Sequence, residues 1–136
     1  MKQMVSSIVV VCLVLAGMAG CRGGGQIYTV QDGPVQTATG KEPSMEDVQK
    51  AIIQAGVALG WTMAVVKPGE IMGTLNVRSH QAVVTIPYTT KTYSILYKDS
   101  NNLKYNSDKQ TIHENYTGWI QRLDGAIRSR LTAAGM

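Results

Sequence analysis

The side chains of this 136-residue chain that could carry chemistry are two histidines, nine acids and two cysteines, and their spacing restricts what they could do. His80 stands beside Arg78 in a stretch expected to turn, where a surface role is the default. His113 falls in the first turn of an expected helix, whose N-terminus disfavours a charged imidazole. His113-Glu114 lacks the second histidine of a zinc-protease helix. Two histidines without a partner pattern do not make a metal site, so no metal is expected. Asp99 and Asn101 take the first two ligand places of a calcium loop, but Leu103 fills the next, the required glycine is missing and Gln110 replaces the closing acid. Glu114 and Asp124 stand too far apart on the last helix to form an evident acid pair. There is no Gly-X-Ser-X-Gly elbow, phosphate loop or dinucleotide fingerprint. The expectation is a chain without catalytic residues or cofactor, and not an enzyme.

Cys21 is the most informative of these residues. Lys2 charges the start, Met4 to Ala19 form a short apolar run, and Met18-Ala19-Gly20-Cys21 closes it. This is the pattern of a secretory signal. The run is too short to cross a bilayer comfortably, which takes about 20 apolar residues. Removing residues 1–20 takes Cys12 and Lys2 with them, leaving 116 residues with net charge +3 in place of +4. That length suits one domain with a real core. The mild charge is spread, with Arg128 and Arg130 as the one close basic pair, so no nucleic-acid partner is expected.

A cysteine directly after Ala19-Gly20 resembles a bacterial lipoprotein signal, although Met18 stands where such signals favour Leu. The resemblance implies that Cys21 becomes the first mature residue and carries lipid, that several acyl chains hold it firmly in a membrane, and that no disulfide forms. In such proteins Asp after the cysteine retains them at the inner membrane. Arg22 stands there instead, which implies the periplasmic face of the outer membrane.

The elements that would position these residues follow from pattern. Residues 21–43 read as a flexible tether, glycine-rich at its start, within which Ile27-Tyr28-Thr29-Val30 has strand character and could dock on the domain edge. The domain, 44–136, opens at Ser44-Met45-Glu46-Asp47, a capping box. Val48, Ile52, Ala55 and Leu59 then recur at helical spacing, and Gly60 stops the helix. Gly56 and Gly60 are expected to mark the helix end and close packing. Four strand-like runs follow, turned at Lys67-Pro68-Gly69, Ser79-His80-Gln81 and Thr89-Thr90-Lys91. Residues 99–110 form a polar loop, and a second capping box at Thr111-Ile112-His113-Glu114 begins a long helix with the stripe Ile112, Tyr116, Trp119, Leu123, Ile127 and Leu131. Gly118 and Gly125 on that helix suggest a neighbour packed close to one side. The expected fold is α+β: a two-layer sandwich in which a four-stranded antiparallel meander is flanked by an N-terminal and a C-terminal helix, in the order α-β-β-β-β-α.

Tyr88, Tyr93 and Tyr97 fall on the buried phase, where their hydroxyls need partners. They read as core, with a Tyr-lined groove between sheet and last helix as the alternative, binding a lipid, glycan or peptide. The opposite phase carries Thr74, Asn76, Arg78, Thr85, Ser94 and Lys98. If no helix covers it, Arg78, His80, Thr74, Asn76 and Lys98 make the candidate interaction surface.

Taken together, Lys67-Pro68-Gly69, Gly73-Thr74-Leu75, Arg78-Ser79-His80, Tyr93-Ser94-Ile95 and Gly118-Trp119-Ile120 resemble a group of small proteobacterial lipoproteins of unknown function. The likeness covers most of the mature chain and brings no catalytic residues. At fold level the arrangement is also similar to the helix-over-sheet domains of some outer-membrane assembly lipoproteins, which implies scaffolding. The expectation is an envelope lipoprotein that binds a protein partner or itself. The alternative is a periplasmic carrier for a small ligand.

Overall fold

The computed structural model describes residues 25–134. The apolar run, Cys21 and the first residues of the expected tether lie outside the described residues. The chain forms β1 (Gly25–Gln26), β2 (Val30–Pro34), α1 (Met45–Ala58), β3 (Thr62–Lys67), β4 (Glu70–Val77), β5 (His80–Pro87), β6 (Thr92–Asn101), β7 (Thr111–Ile112) and α2 (Glu114–Ala133). The fold is α+β. Its main sheet is antiparallel and five-stranded, in the order β2-β6-β5-β4-β3, and β1 pairs separately with β7.

Alternation builds the sheet. Ile71, Leu75, Ala82, Val84, Ile86, Tyr93 and Ile95 point to one face and are buried there. They join Val48, Ile52 and Ala55 of α1 and Tyr116, Ile120, Leu123, Ile127 and Leu131 of α2 in one core cluster. Both helices therefore cover the same face, as period-2 strands and 3.6-period helices allow. α1 starts where expected: Ser44 Oγ accepts from the Asp47 amide at 3.1 Å, and the Asp47 carboxylate accepts from the Ser44 amide. Gly60, at φ +88°, follows the C-cap, and Gly56 lies so close to Met63 that a Cβ there would stand 2.7 Å from the Met63 Cε.

Four details differ from the sequence-based expectation. The meander gains a fifth strand, because β2, from the stretch expected to be a tether, pairs with the start of β6. Beyond it, the Val35 amide donates to the Lys91 carbonyl and the Ala38 amide to the Thr132 carbonyl, so residues 25–43 run along the domain. The second turn is Arg78-Ser79, with Arg78 at φ +55° and Val77 paired directly to His80. A two-residue turn makes His80 the first residue of β5. α2 begins later than expected, since Thr111-Ile112 is strand and His113 is the N-cap, its Nδ1 accepting from the Asn115 amide at 3.2 Å. Finally, nothing lies within 4 Å of a Cβ built on Gly118 or Gly125, so no neighbour among the described residues packs there. No helix among the described residues is long and apolar enough to cross a membrane.

Candidate functional site

The sheet face away from the helices carries the expected surface in rows fixed by strand register. Thr62, Thr74, Val83 and Asp99 form one row, and Ala64, Met72, Thr85 and Leu96 the next. Asn76 and Gln81 begin a third, joined by a 3.0 Å bond from Gln81 Nε2 to Asn76 Oδ1. Thr74, Met72, Val83, Thr85 and Leu96 are half-buried, in keeping with a sheet face that no helix among the described residues covers. Lys98 occupies a bulge where the β5–β6 register shifts, and both Lys98 and Asp99 are exposed. Ser94 departs from the expectation: the Asp32 amide donates to its Oγ at 2.9 Å, and the irregular turn of β2 buries it. The face is more apolar than expected, because Met72, Val83 and Leu96 share it with the threonines.

Of the five candidate residues, Thr74 and Asn76 lie together on β4, Lys98 is two strands away on β6, and Arg78 sits exposed at the hairpin tip. His80 does not join them. Its pairing with Val77 places it in phase with Ala82 and Val84, so its ring lies on the helix side. There the fold brings it to His113, with ring centroids 5.9 Å apart, and to Trp119 at 6.4 Å.

Hydrogen bonds define what this pair can do. His80 Nδ1 meets the Asn102 carbonyl at 2.7 Å, so Nδ1 is the donor, and the lone pair of the neutral ring is the one on Nε2. His113 Nδ1 accepts from the Asn115 amide, so its proton is on Nε2. In their neutral forms one ring thus offers a lone pair and the other an N–H. A metal bound by both would need His113 to surrender its capping role. Among the described residues, no group of three or more His, Cys, Asp or Glu is placed to hold a metal.

Asp124, unassigned from the sequence, is the buried charge of the domain, at 8 % exposure. Tyr93 donates its hydroxyl to Oδ1 and Arg128 donates Nε to Oδ2 at 3.2 Å. Burial, and then the hydrogen bond to Asp124, push the Tyr93 phenol above its usual range. The i, i+4 spacing of Asp124 and Arg128 signals the ion pair, but nothing in the sequence ties either to Tyr93. The other two tyrosines are also satisfied, Tyr88 through Gln49 Oε1 and Tyr97 through Ser100 Oγ, each at 2.8 Å.

Between sheet and helices lies the core cluster, with Tyr88 and Tyr93 buried in it. Beside it, at the edge of β6, a surface groove of about 440 Å³ runs along Tyr97 and Tyr105, whose rings stack at 4.3 Å, with Gln26, Thr29 and Gln110 in its walls. The sequence pattern also left unassigned the outer margin of β3, where Ala64, Val65 and Val66 are all exposed; an apolar run without alternation is the signal for it. The chain matches no protein-family model, no curated protein and no solved structure.

Proposed function

We propose that this chain is a bacterial envelope lipoprotein, held through Cys21 at the periplasmic face of the outer membrane, whose domain is a non-enzymatic protein-interaction or assembly module. The signal pattern around Cys21 supports the anchor. The uncovered sheet face supports the interaction role: Thr74, Thr85 and Asn76 interleave with Met72, Val83 and Leu96, flanked by Lys98 and Arg78. A half-apolar, half-polar surface of this kind has the composition of non-obligate protein interfaces. The test is affinity capture of C-terminally tagged protein from crosslinked envelopes, beside Cys21→Ala and a paired Arg78→Glu, Lys98→Glu variant. A stoichiometric partner that both variants lose supports the reading. Capture that the charge-reversal pair leaves unchanged removes this face.

A second reading, a carrier for a small lipid, glycan or peptide, draws on the groove beside the stacked Tyr97 and Tyr105. Aromatic faces with amide groups nearby suit sugar rings and acyl chains alike. A small molecule that copurifies with the protein and is lost on Tyr105→Ala would favour this reading.

A further inference from the structure

Among the described residues, large exposed apolar side chains gather at one margin. Val57 is 58 % exposed, Val66 56 % and Val65 45 %, with Met45 and Leu59 close behind; Tyr105 is the exception elsewhere. All five belong to α1, its C-cap or β3. β3 is an edge strand, paired among the described residues with β4 alone. Its free side presents unpaired backbone groups, the template on which another strand adds. Folded proteins blunt such edges with lysine, proline and bulges. Here all three sit at one end, in Lys67, Pro68 and the irregularity between Val65 and Lys67. Thr62 to Val66 remain open and uncharged.

We propose that β3 pairs antiparallel with β3 of a second copy of this chain, about a twofold axis at Ala64, so that the two sheets join. The proposal rests on the interaction-module reading and names the partner and the edge. Symmetry selects the register. A twofold axis normal to the sheet keeps each face on its own side, so residues that share a face must meet one another. Met63 and Val65 pair with the buried Gly73 and Ile71 and lie on the helix side; Thr62 and Ala64 lie on the other. Axes at Met63, Ala64 and Val65 all respect this over Thr62 to Val65, ahead of the irregularity. The axis at Met63 would set Val65 against Trp61, which is buried and lies outside the strand. The axis at Val65 would set Met63 against Lys67 of the second copy. The axis at Ala64 sets Met63 against Val65 and brings Thr62 to the irregular residue Val66, with no charge in the paired segment and Lys67 beyond it.

α1 extends the same margin. Gly56 packs on Met63, and Met45 lies beside Gly69, so α1 runs antiparallel above β3. At ~1.5 Å per helical residue and ~3.3 Å per strand residue, Ile53 comes about level with Ala64. Ile53 is half-buried and Val57 exposed, and the axis brings both toward their counterparts. A strand edge of about 20 Å with this flank sits at the low end of stable interfaces, which bury about 800 Å² per partner. An edge of this size belongs with weak, reversible association, to be sought at concentrations on the order of 1–100 µM.

The experiment uses the full chain in mild detergent. Sedimentation over that span, about 1–100 µM, should show a monomer–dimer equilibrium. Ala64→Lys, a change at an exposed site that sets two cations together on the axis, should weaken it at least tenfold while the far-ultraviolet circular dichroism stays unchanged. Residues opposed across an antiparallel pair have Cα atoms about 4.5–5.5 Å apart, within disulfide reach. Ala64→Cys should therefore give a disulfide-linked dimer on mild oxidation, whereas Thr85→Cys on the same face, and the parent chain, which loses Cys12 with the signal and carries lipid on Cys21, should not. A chain that stays monomeric and gives no link at residue 64, or a dimer that Ala64→Lys leaves intact, overturns the proposal. Either result leaves the interaction-module reading to stand or fall on the crosslinked envelope capture.

Discussion

Tyr116→Phe should make this protein more stable. The Tyr116 side chain is fully buried, and its hydroxyl has no hydrogen-bond partner among the described residues. The Tyr116 ring meets that of Tyr97 edge-on, with centroids 5.9 Å apart. A hydroxyl withdrawn from water without a partner costs about 1–3 kcal/mol in proteins. Phenylalanine keeps the ring and its packing and deletes one oxygen. The void left behind costs well under ~1 kcal/mol at ~24 cal/mol per Å³. The net gain is about 1–2 kcal/mol, which at a urea slope of about 2 kcal/mol per molar raises the unfolding midpoint by roughly 0.5–1 M. The internal control is Tyr93→Phe, the same chemical change at a site where the hydroxyl donates to the buried Asp124 carboxylate. Losing a hydrogen bond to a charged group costs about 1.5–3 kcal/mol, so its midpoint should fall. One oxygen deleted from each of two buried tyrosines should thus act with opposite signs. If Tyr116→Phe lowers the midpoint as Tyr93→Phe does, the Tyr116 hydroxyl has a partner in solution and the reasoning fails.

Gly125→Ala, and separately Gly118→Ala, should each stabilise by about 1 kcal/mol in the same urea titration, because α2 gains helix propensity and nothing stands in the way of a methyl; a loss at either site would mean an unseen neighbour. Ser44→Ala should cost about 1 kcal/mol by opening the capping box of α1, with Ser44→Asp close to neutral; an alanine variant as stable as the parent would contradict the cap. Alkali should unfold the protein sooner than its exposed tyrosines alone would predict. Burial, the largest cause, raises both the Tyr93 and Tyr116 phenols, so each folded value exceeds the unfolded one. Their contribution is complete below the ordinary phenol value of about 10 and is lost as pH rises from there through the folded values. Urea midpoints should fall above about pH 10, and less steeply in Tyr116→Phe; an equal slope in that variant would refute the assignment.

Most of the secondary structure could be read from the residues, for local reasons. Ile71, Leu75, Ala82, Val84, Ile86, Tyr93 and Ile95 alternate, Ser44 and Asp47 make a cap, and Tyr116 through Leu131 repeat at helical spacing, so each element carries its own signature in its neighbours. The candidate surface was partly legible for the same reason: Thr74 and Asn76 follow from the phase of β4. His80 did not, because a two-residue turn in place of a three-residue one moves a side chain to the other face of the sheet. β2 was missed as a sheet strand because its partner, the start of β6, is about 60 residues away and the pairing is irregular; the propensity of a short edge segment depends on what it meets.

Two amphipathic helices, a meander of alternating strands, a signal-like run ahead of Cys21 and a small set of chemical side chains are all readable along the chain. These depend on residue type and on spacing along the chain. What came from the three-dimensional arrangement alone is that His80 rests on His113, that Asp124 is buried under Tyr93, and that Val65 and Val66 lie on an open edge. Such facts arise from contacts between residues distant in sequence, where packing and sheet order select which apolar side chains are buried and which remain for a partner.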